Sequence, residues 1–393
     1  MSHPRRIGIL TGGGDVPGLN SVIKSVVYRS SEMGFEVTGL RRGWEALTHM
    51  RPGADPDPDY VRALDRVNTR TIDRTGGTFL HSSRTNPRKM RTGKLPSVVP
   101  AERLPSLETG EGVYDFTPVV LENLERLGIQ TLISIDGDDT LSYSKVLADA
   151  GVQIIAIPKT MDNDVRGTEY CIGFSTAITR AKDAINRQRT TLGSHERIGV
   201  FRVFGRNAGF TALYTAYVTS ARCVIPEYRF DLQHLVDVLV EDRANNPSRY
   251  SFVIASEGAL PQGMELQEVG DADAYGHRHK ASIGEFLADE IKRRTGIETV
   301  NSELTYDLRS GDPDAFDQMV AITFANVAME LVIDGKTAQM TAIRDGRYGY
   351  CPIPEPGART VDVEHAYNVE RYRPHYENKI GLPVLLTPSV VQA

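Results

Sequence analysis

The sequence predicts an α/β protein with mainly parallel sheets flanked by helices, and two kinds of segment indicate this fold class. Short, almost uninterrupted apolar runs are typical of strands buried on both faces, and amphipathic stretches of helical period stand between them. The predicted strands are 7–10, 131–135, 154–157, 198–203 and 252–255. The predicted helices are 18–33, 118–127, 140–150, 176–191, 208–220, 232–243 and 283–294. In such sheets, which helices flank on both faces, ligands bind beyond the carboxyl ends of the strands.

Length and composition narrow the class of protein further. A chain of 393 residues is long enough for about two domains. Its net charge of −6 argues against a nucleic-acid partner, which would select a basic surface. We find no apolar run near the ~18 residues of a membrane span and expect no membrane partner. The chain enters its first strand at once, so we expect no signal peptide and a cytoplasmic location.

Two segments and the three cysteines fit no regular pattern. Residues 86–113 hold four prolines among basic and small residues, which predicts a long functional or mobile loop. The segment from Val361 onward is too irregular to assign. Cys171, Cys223 and Cys351 show no metal-binding spacing, and we expect idle or buried thiols in a reducing compartment.

Two glycine-containing strings suggest phosphate binding. Residues 12–20 read GGGDVPGLN between a predicted strand and a helix, where backbone N–H groups can approach a phosphate. Residues 76–84 read GGTFLHSSR, a turn whose arginine can reach a polyanion. Each string alone is equally compatible with an ordinary turn.

Two acidic strings follow predicted strands. Residues 136–140 read DGDDT, and three carboxylates there are costly unless they bind a cation or pair with bases. Residues 158–164 read PKTMDND, in which a lysine, a hydroxyl and two carboxylates form a compact acid–base site. A helix cap explains part of the first string, but not all three carboxylates.

Taken in order, these strings resemble the phosphofructokinases over nearly the whole chain. The family pattern is GGDxPGxN, GGTxLxSxR, GGD and TxDND, followed by a GR pair and a glutamate. The later elements are FGRNAG at 204–209 and SEG at 256–258. The resemblance implies two Rossmann-like lobes with the site in the cleft between them. It assigns residues 1–173 and 308–356 to a donor lobe, and residues 174–307 and 357–393 to a sugar-phosphate lobe.

The resemblance also implies roles for matching residues. Asp162 is expected to accept the proton of the sugar's 1-hydroxyl, while Thr160 and Asp164 hold the reacting groups. Asp138 is expected to bind Mg²⁺, and Arg206 to lie near the transferred phosphoryl group. The residues expected at the phosphoryl donor are Gly13, Arg84, Asp139 and Lys159.

Fructose 6-phosphate is the implied acceptor. Glu257 is expected to bind sugar hydroxyls, and Arg197 and Arg309 to clamp the 6-phosphate. Arg197 would reach in from a neighbouring subunit, which implies a homodimer or homotetramer. Val300 stands where many bacterial members have another inter-subunit arginine. The full set expected at the sugar is Thr160, Asp162, Arg197, Phe204, Gly205, Arg206, Glu257, Tyr306 and Arg309.

Two residues favour pyrophosphate over ATP as the donor. ATP-dependent relatives have glycine at the position of Asp139, where a carboxylate adds volume and negative charge beside the α-phosphate. Lys159 would offset that charge and bind a terminal phosphate of a shorter donor. The alternatives are an ATP-dependent enzyme, a non-catalytic sugar-phosphate-binding regulatory subunit, and sedoheptulose 7-phosphate as a substrate. The intact Asp138, Thr160, Asp162 and Asp164 argue against the regulatory subunit.

Overall fold

The structure is a computed structural model that describes residues 5–53, 56–265, 268–269, 279–280 and 282–385, without the side chains of 139, 268, 269, 279 and 280. Its strands are β1 Arg6–Thr11, β2 Glu36–Leu40, β3 Val61–Leu64, β4 Met90–Arg91, β5 Glu108–Gly110, β6 Val113–Tyr114, β7 Thr131–Asp136, β8 Gln153–Pro158, β9 Ile198–Val203, β10 Arg222–Val224, β11 Ser251–Ser256, β12 Glu268–Val269, β13 His279–Lys280, β14 Thr299–Leu304, β15 Gln339–Arg344, β16 Arg347–Pro352, β17 Tyr367–Asn368 and β18 Arg373–Pro374.

The α-helices are α1 Leu19–Glu32, α2 Glu45–His49, α3 Leu104–Leu107, α4 Thr117–Arg126, α5 Asp138–Asp149, α6 Phe174–Ser194, α7 Phe210–Thr219, α8 Leu232–Asn245, α9 Ile283–Thr295, α10 Tyr306–Arg309, α11 Ala315–Ile333 and α12 Val363–Ala366. Four short 3₁₀ turns add to these in the described residues: Ile72–Arg74, Pro87–Lys89, Thr92–Lys94 and Ala101–Arg103.

Two large sheets form the frame, and this confirms the predicted α/β class. The first has the order β16-β15-β8-β7-β1-β2-β3, parallel except for its two edge strands β16 and β3. The second is fully parallel in the order β10-β11-β9-β14. All residues of β7 and β11 are buried, because helices cover both faces of a parallel sheet.

All five predicted strands and seven predicted helices are present, with ends shifted by a few residues. Other elements escaped the sequence reading. The strand β14 has only two apolar residues, Val300 and Leu304, and α11 is so uniformly apolar that it shows little helical periodicity. The strands β15 and β16 pair as a hairpin at the edge of the first sheet.

Helix α11 corrects the expectation that no apolar run in the sequence is near the length of a membrane span. Its 19 residues are long and apolar enough to cross a membrane by length and composition alone. In the fold, however, half of the helix is buried, and it packs on α1, β8 and β15. Its buried residues include Val320, Phe324 and Ala328. A helix buried inside a protein core passes the same length and composition test.

The segment 86–113 is also more ordered than expected. Its strands β4 and β5 pair with β6 in a small antiparallel sheet, joined by 3₁₀ turns. A separate apolar cluster of Met90, Leu107, Phe116 and Val119 supports this sheet. The prediction of a long loop missed this sheet, because so small a core gives too weak a periodic signal. The C-terminal segment likewise contains α12 and the hairpin β17–β18.

Candidate active site

The predicted site residues lie mainly in six loops at the carboxyl ends of parallel strands. Three loops follow β1, β7 and β8 of the first sheet, and three follow β9, β11 and β14 of the second. This is the edge at which open α/β sheets bind ligands. The two sheets therefore contribute different parts of one site.

The loop after β1 needs glycine for two distinct reasons. A Cβ atom at Gly12 would stand 2.2 Å from Oδ1 of the buried Asp136. Gly13 has a φ of +75°, which favours glycine. Its N–H donates to the carbonyl of Ser83 at 2.9 Å, and its own carbonyl accepts the Ser82 hydroxyl at 2.5 Å. The second glycine string is thereby fixed against the first.

These two strings and Arg309 line a cavity of about 490 Å³. Arg84 lies on its exposed side. The Lys159 ammonium donates to the carbonyl of Gly14 at 2.7 Å, and only 4% of this residue is exposed. Guanidinium groups, an ammonium and backbone amides are the groups that bind phosphates in proteins. The cavity is therefore suited to a polyphosphate donor.

Burial controls the charge of Lys159. It lowers the pKa of the Lys159 ammonium to about 8, an effect that the nearby Asp136 opposes. Asp136 is fully buried, and its Oδ1 has no hydrogen-bond partner. Burial raises the pKa of Asp136 to about 6. Lys159 is thus mainly charged at neutral pH and loses that charge in mildly alkaline solution.

Asp138 begins α5, and its Oδ1 accepts the N–H of Gly357 at 3.3 Å. It follows β7, which lies between β1 and β8 in the first sheet. Among the residues that the structure describes, no three His, Cys, Asp or Glu side chains gather into a metal cluster. Mg²⁺ is commonly held by one or two carboxylates together with substrate phosphates, so Asp138 fits such a site. The side chain of Asp139 lies outside the described part of the chain.

Asp162 has the features of a proton acceptor. Its N–H donates to the Thr160 hydroxyl at 3.1 Å, while its buried Oδ1 has no hydrogen-bond partner. Burial, then the charges of Asp164 and Glu257, raise the pKa of Asp162 well above its ordinary value. Arg206 lowers this pKa, which shows that residues from both sheets act on the same carboxyl group. An unpaired buried carboxylate oxygen is available to a substrate hydroxyl.

Glu257 lies between two arginines. Its Oε2 accepts from Arg202 at 2.8 Å, and its Oε1 is 3.7 Å from Nε of Arg206. Arg202 also pairs with Glu303 of β14 at 3.0 Å. Next to Glu257, the Ser256 hydroxyl donates to the carbonyl of Gly205 at 2.8 Å, which joins the loops after β9 and β11. The carboxylate of Glu257 is therefore fixed by contacts within the chain.

Two aromatic rings stand at the open side of the second sheet's loops. Phe204 and Tyr306 meet edge to face at 6.0 Å, and Tyr306 is 63% exposed. The Arg309 guanidinium lies over the Tyr306 ring at 5.2 Å and pairs with Asp15 at 2.7 Å. Arg309 therefore contacts both the glycine loop and the Tyr306 ring.

Arg197 is the predicted residue that the fold separates from the others. It precedes β9, whereas Phe204 follows it. At ~3.3 Å per residue, the six-residue strand keeps the two ends roughly 20 Å apart. Arg197 therefore does not reach the site of its own chain.

Four residues near the site carried no predicted role: Asp15, Asp136, Arg202 and Arg359. Arg202 could have been suspected, because it is the one charged residue in the string IGVFRV of β9. Asp136 was visible in the DGDDT string but was not assigned to a ligand. Arg359 stands in an irregular segment, and nothing in its local sequence marks it.

Comparison with known proteins agrees with this geometry. The Phosphofructokinase family pattern matches residues 6–332. A pyrophosphate–fructose 6-phosphate 1-phosphotransferase of Streptomyces coelicolor is 38% identical, over 92% of this chain and 97% of its own. The chain belongs to the phosphofructokinase family. A crystal structure of a pyrophosphate-dependent phosphofructokinase from Nitrosospira multiformis shares the fold with a TM-score of 0.74, at 16% identity over 97% of this chain and 92% of that one.

Similarity to relatives does not select the phosphoryl donor of this phosphofructokinase. The ATP-dependent 6-phosphofructokinase 3 of Streptomyces coelicolor is 37% identical over 86% of this chain and 91% of its own. That value differs by one percentage point from the value for the pyrophosphate-dependent relative. The donor must therefore be argued from the site itself.

Proposed function

We propose that this enzyme transfers a phosphoryl group from pyrophosphate to the 1-hydroxyl of fructose 6-phosphate, reversibly, in glycolysis and gluconeogenesis. The observation that carries the proposal is the position of Lys159. Its ammonium is 2.7 Å from the carbonyl of Gly14 and 3.1 Å from where a Cβ of Gly13 would stand. A buried cation against the glycine loop suits the terminal phosphate of a short donor.

The sequence at the start of α5 supports the same donor. Asp139 is the second residue of that helix. The family resemblance implies that ATP-dependent members typically have glycine at this position. Two like charges ~4 Å apart at an effective dielectric constant of ~20 repel by about 4 kcal/mol. That repulsion corresponds to roughly a thousandfold in affinity. An α-phosphate beside Asp139 would meet this penalty, whereas pyrophosphate has no third phosphate.

The proposed reaction assigns one task to each group. Asp162 accepts the proton of the sugar's 1-hydroxyl while the oxygen of that hydroxyl forms a bond to the terminal phosphorus of pyrophosphate. The bridging P–O bond of pyrophosphate breaks at the same time and releases phosphate. Lys159 and Arg206 stabilise the negative charge of the transferred group. Glu257 orients the sugar. Mg²⁺ held by Asp138, when bound, would neutralise part of the donor's charge.

An ATP-dependent 6-phosphofructokinase is the second candidate, because a relative named for that activity is 37% identical. We also propose a homodimer or homotetramer, since Arg197 lies at the far end of β9 and would serve a neighbouring subunit. A cytoplasmic location fits three cysteines that are all buried and unpaired.

The reaction can be tested by ³¹P NMR on the purified protein with Mg²⁺, pyrophosphate and fructose 6-phosphate. Fructose 1,6-bisphosphate and phosphate should appear in equal amounts as pyrophosphate disappears. The reverse mixture of bisphosphate and phosphate should yield pyrophosphate. Disappearance of pyrophosphate without formation of the bisphosphate would refute the proposal.

A further inference from the structure

Arg359, which is distant in sequence, forms hydrogen bonds with the backbone of the loop that carries Asp162. Arg359 donates to the carbonyl of Asn163 through Nη2 at 2.9 Å and Nε at 3.3 Å. Its Nη2 also donates to the carbonyl of Glu169 at 3.2 Å. The two carbonyls are six residues apart in the loop, so one guanidinium joins two parts of it.

The backbone beside Arg359 adds further contacts to the same loop. The Arg359 N–H donates to the carbonyl of Asp164 at 2.6 Å, and Ala358 forms an antiparallel bridge with Val165. The segment 357–361 thus runs along the loop as an additional strand-like partner. Asp162 lies directly before the two residues, Asn163 and Asp164, whose carbonyls this segment binds.

The loop has a conformation that needs such support. Asn163 is buried and has a φ of +54°, a left-handed conformation that is uncommon outside glycine. Its side chain donates to the carbonyl of Glu169 and accepts the N–H of Cys171. Buried carbonyls without donors are costly, so loss of the guanidinium would favour a rearranged loop.

The segment 357–361 also reaches the two other parts of the site. The Gly357 N–H donates to Asp138, and the Val361 N–H donates to Glu227 at 2.8 Å. Glu227 in turn accepts the N–H of Gly209, at the end of the FGRNAG loop. This short segment therefore contacts Asp138 at the proposed donor site, the loop that carries Asp162, and Glu227 beside the proposed sugar site.

We propose that Arg359 is a positioning residue that fixes the Asp162 loop for phosphoryl transfer. This inference rests on the proposed function and assigns a role to a residue outside the motifs. Arg359 acts through the backbone of the loop. Its removal should therefore reduce turnover while leaving the contacts of both substrates in place. A displacement of about 1 Å at a reacting group can cost roughly 100-fold in rate.

The test compares Arg359→Lys with Arg166→Ala as a matched control. Lysine keeps the charge but lacks the planar fork that binds two carbonyls. The control removes an exposed arginine of the same loop, whose Nε donates to the carbonyl of Ala358 at 3.4 Å. We expect Arg359→Lys to lower kcat roughly 10- to 100-fold while both KM values change less than about threefold. Arg166→Ala should keep kcat near the wild-type value.

Chemical rescue separates positioning from a merely structural role. Arg359 lines a cavity of about 300 Å³ beside Phe210, over whose ring its guanidinium lies at 4.3 Å. Free guanidinium at millimolar concentration should therefore enter Arg359→Ala and raise its kcat, with no effect on Arg166→Ala. If Arg359→Ala does not fold, Arg359→Lys carries the test.

A folded Arg359→Lys enzyme with wild-type kcat, or one with a lower melting temperature and unchanged kcat, would overturn the inference. The proposed function would survive that result. Failure of the wild-type enzyme to form the bisphosphate would instead refute the proposed function.

Discussion

The Arg309 guanidinium pairs with the Asp15 carboxylate at 2.7 Å and so joins the segment after β14 to the glycine loop after β1. The two residues are 294 positions apart in the sequence. Asp15 lies in a loop of the first sheet, and Arg309 follows a strand of the second sheet. Both residues line the cavity beside the glycine loop. The pair provides a direct contact between the two halves of the site.

Replacement of Arg309 by alanine should raise the KM for fructose 6-phosphate more than that for the phosphoryl donor. A charge-assisted hydrogen bond to phosphate contributes about 1.5–3 kcal/mol, or roughly 10- to 150-fold in affinity. Steady-state kinetics with each substrate varied in turn provide the measurement, and Asp15→Asn is the control for loss of the pair alone. Equal changes in both KM values would remove Arg309 from the 6-phosphate site.

Asp162→Asn should abolish most turnover, because the amide keeps the size of the side chain but cannot accept the proton. General bases contribute about 100- to 10,000-fold. Binding of fructose 6-phosphate, measured by calorimetry, should stay close to that of the wild type. Asp307→Asn, which changes an exposed carboxylate beside Tyr306, is the matched control. A variant retaining more than about a tenth of wild-type turnover would exclude Asp162 as the base.

Several motifs follow strands that the sequence also predicted, namely β1, β7, β8, β9 and β11, because these strands have a strong apolar signal. The side-chain contacts between loops could not be predicted. Arg202 and Glu257 are 55 residues apart, and their pairing depends on β9 and β11 being neighbours with Arg202 opposite Ala255. Arg359 and Asn163 are 196 residues apart. Only the folded chain brings such residues together.

The pH dependence of donor use should follow Lys159. Its pKa is lowered to about 8 by burial, so its charge is present below that pH and is lost above it. In the free enzyme, kcat/KM for pyrophosphate should therefore fall above about pH 8, approaching tenfold per pH unit. Lys159→Arg should retain its charge and remove this alkaline decline. A wild-type profile that stays flat to about pH 9.5 would show that Lys159 does not control donor binding.

Arg202 should act on the sugar through Glu257. Arg202→Met removes the bond that fixes the Glu257 carboxylate and leaves Glu303 without its ion-pair partner. The KM for fructose 6-phosphate should rise about tenfold, while that for the donor should change little, because the loss of a charged hydrogen bond costs about 1.5–3 kcal/mol. Lys292→Met, which breaks an exposed pair with Glu298, serves as the control. A larger effect on the donor KM would contradict this role.

The most direct test of the central claim is the ratio of kcat/KM for pyrophosphate to kcat/KM for ATP, both with Mg²⁺ and fructose 6-phosphate. The wild-type ratio should be large, and Asp139→Gly should lower it by relieving the repulsion of an α-phosphate. The double variant Asp139→Gly/Lys159→Gly should lower the ratio further, because pyrophosphate then also loses its contact with the Lys159 ammonium. A wild-type enzyme that prefers ATP would contradict the account, and a ratio unchanged in both variants would show that these two residues do not select the donor.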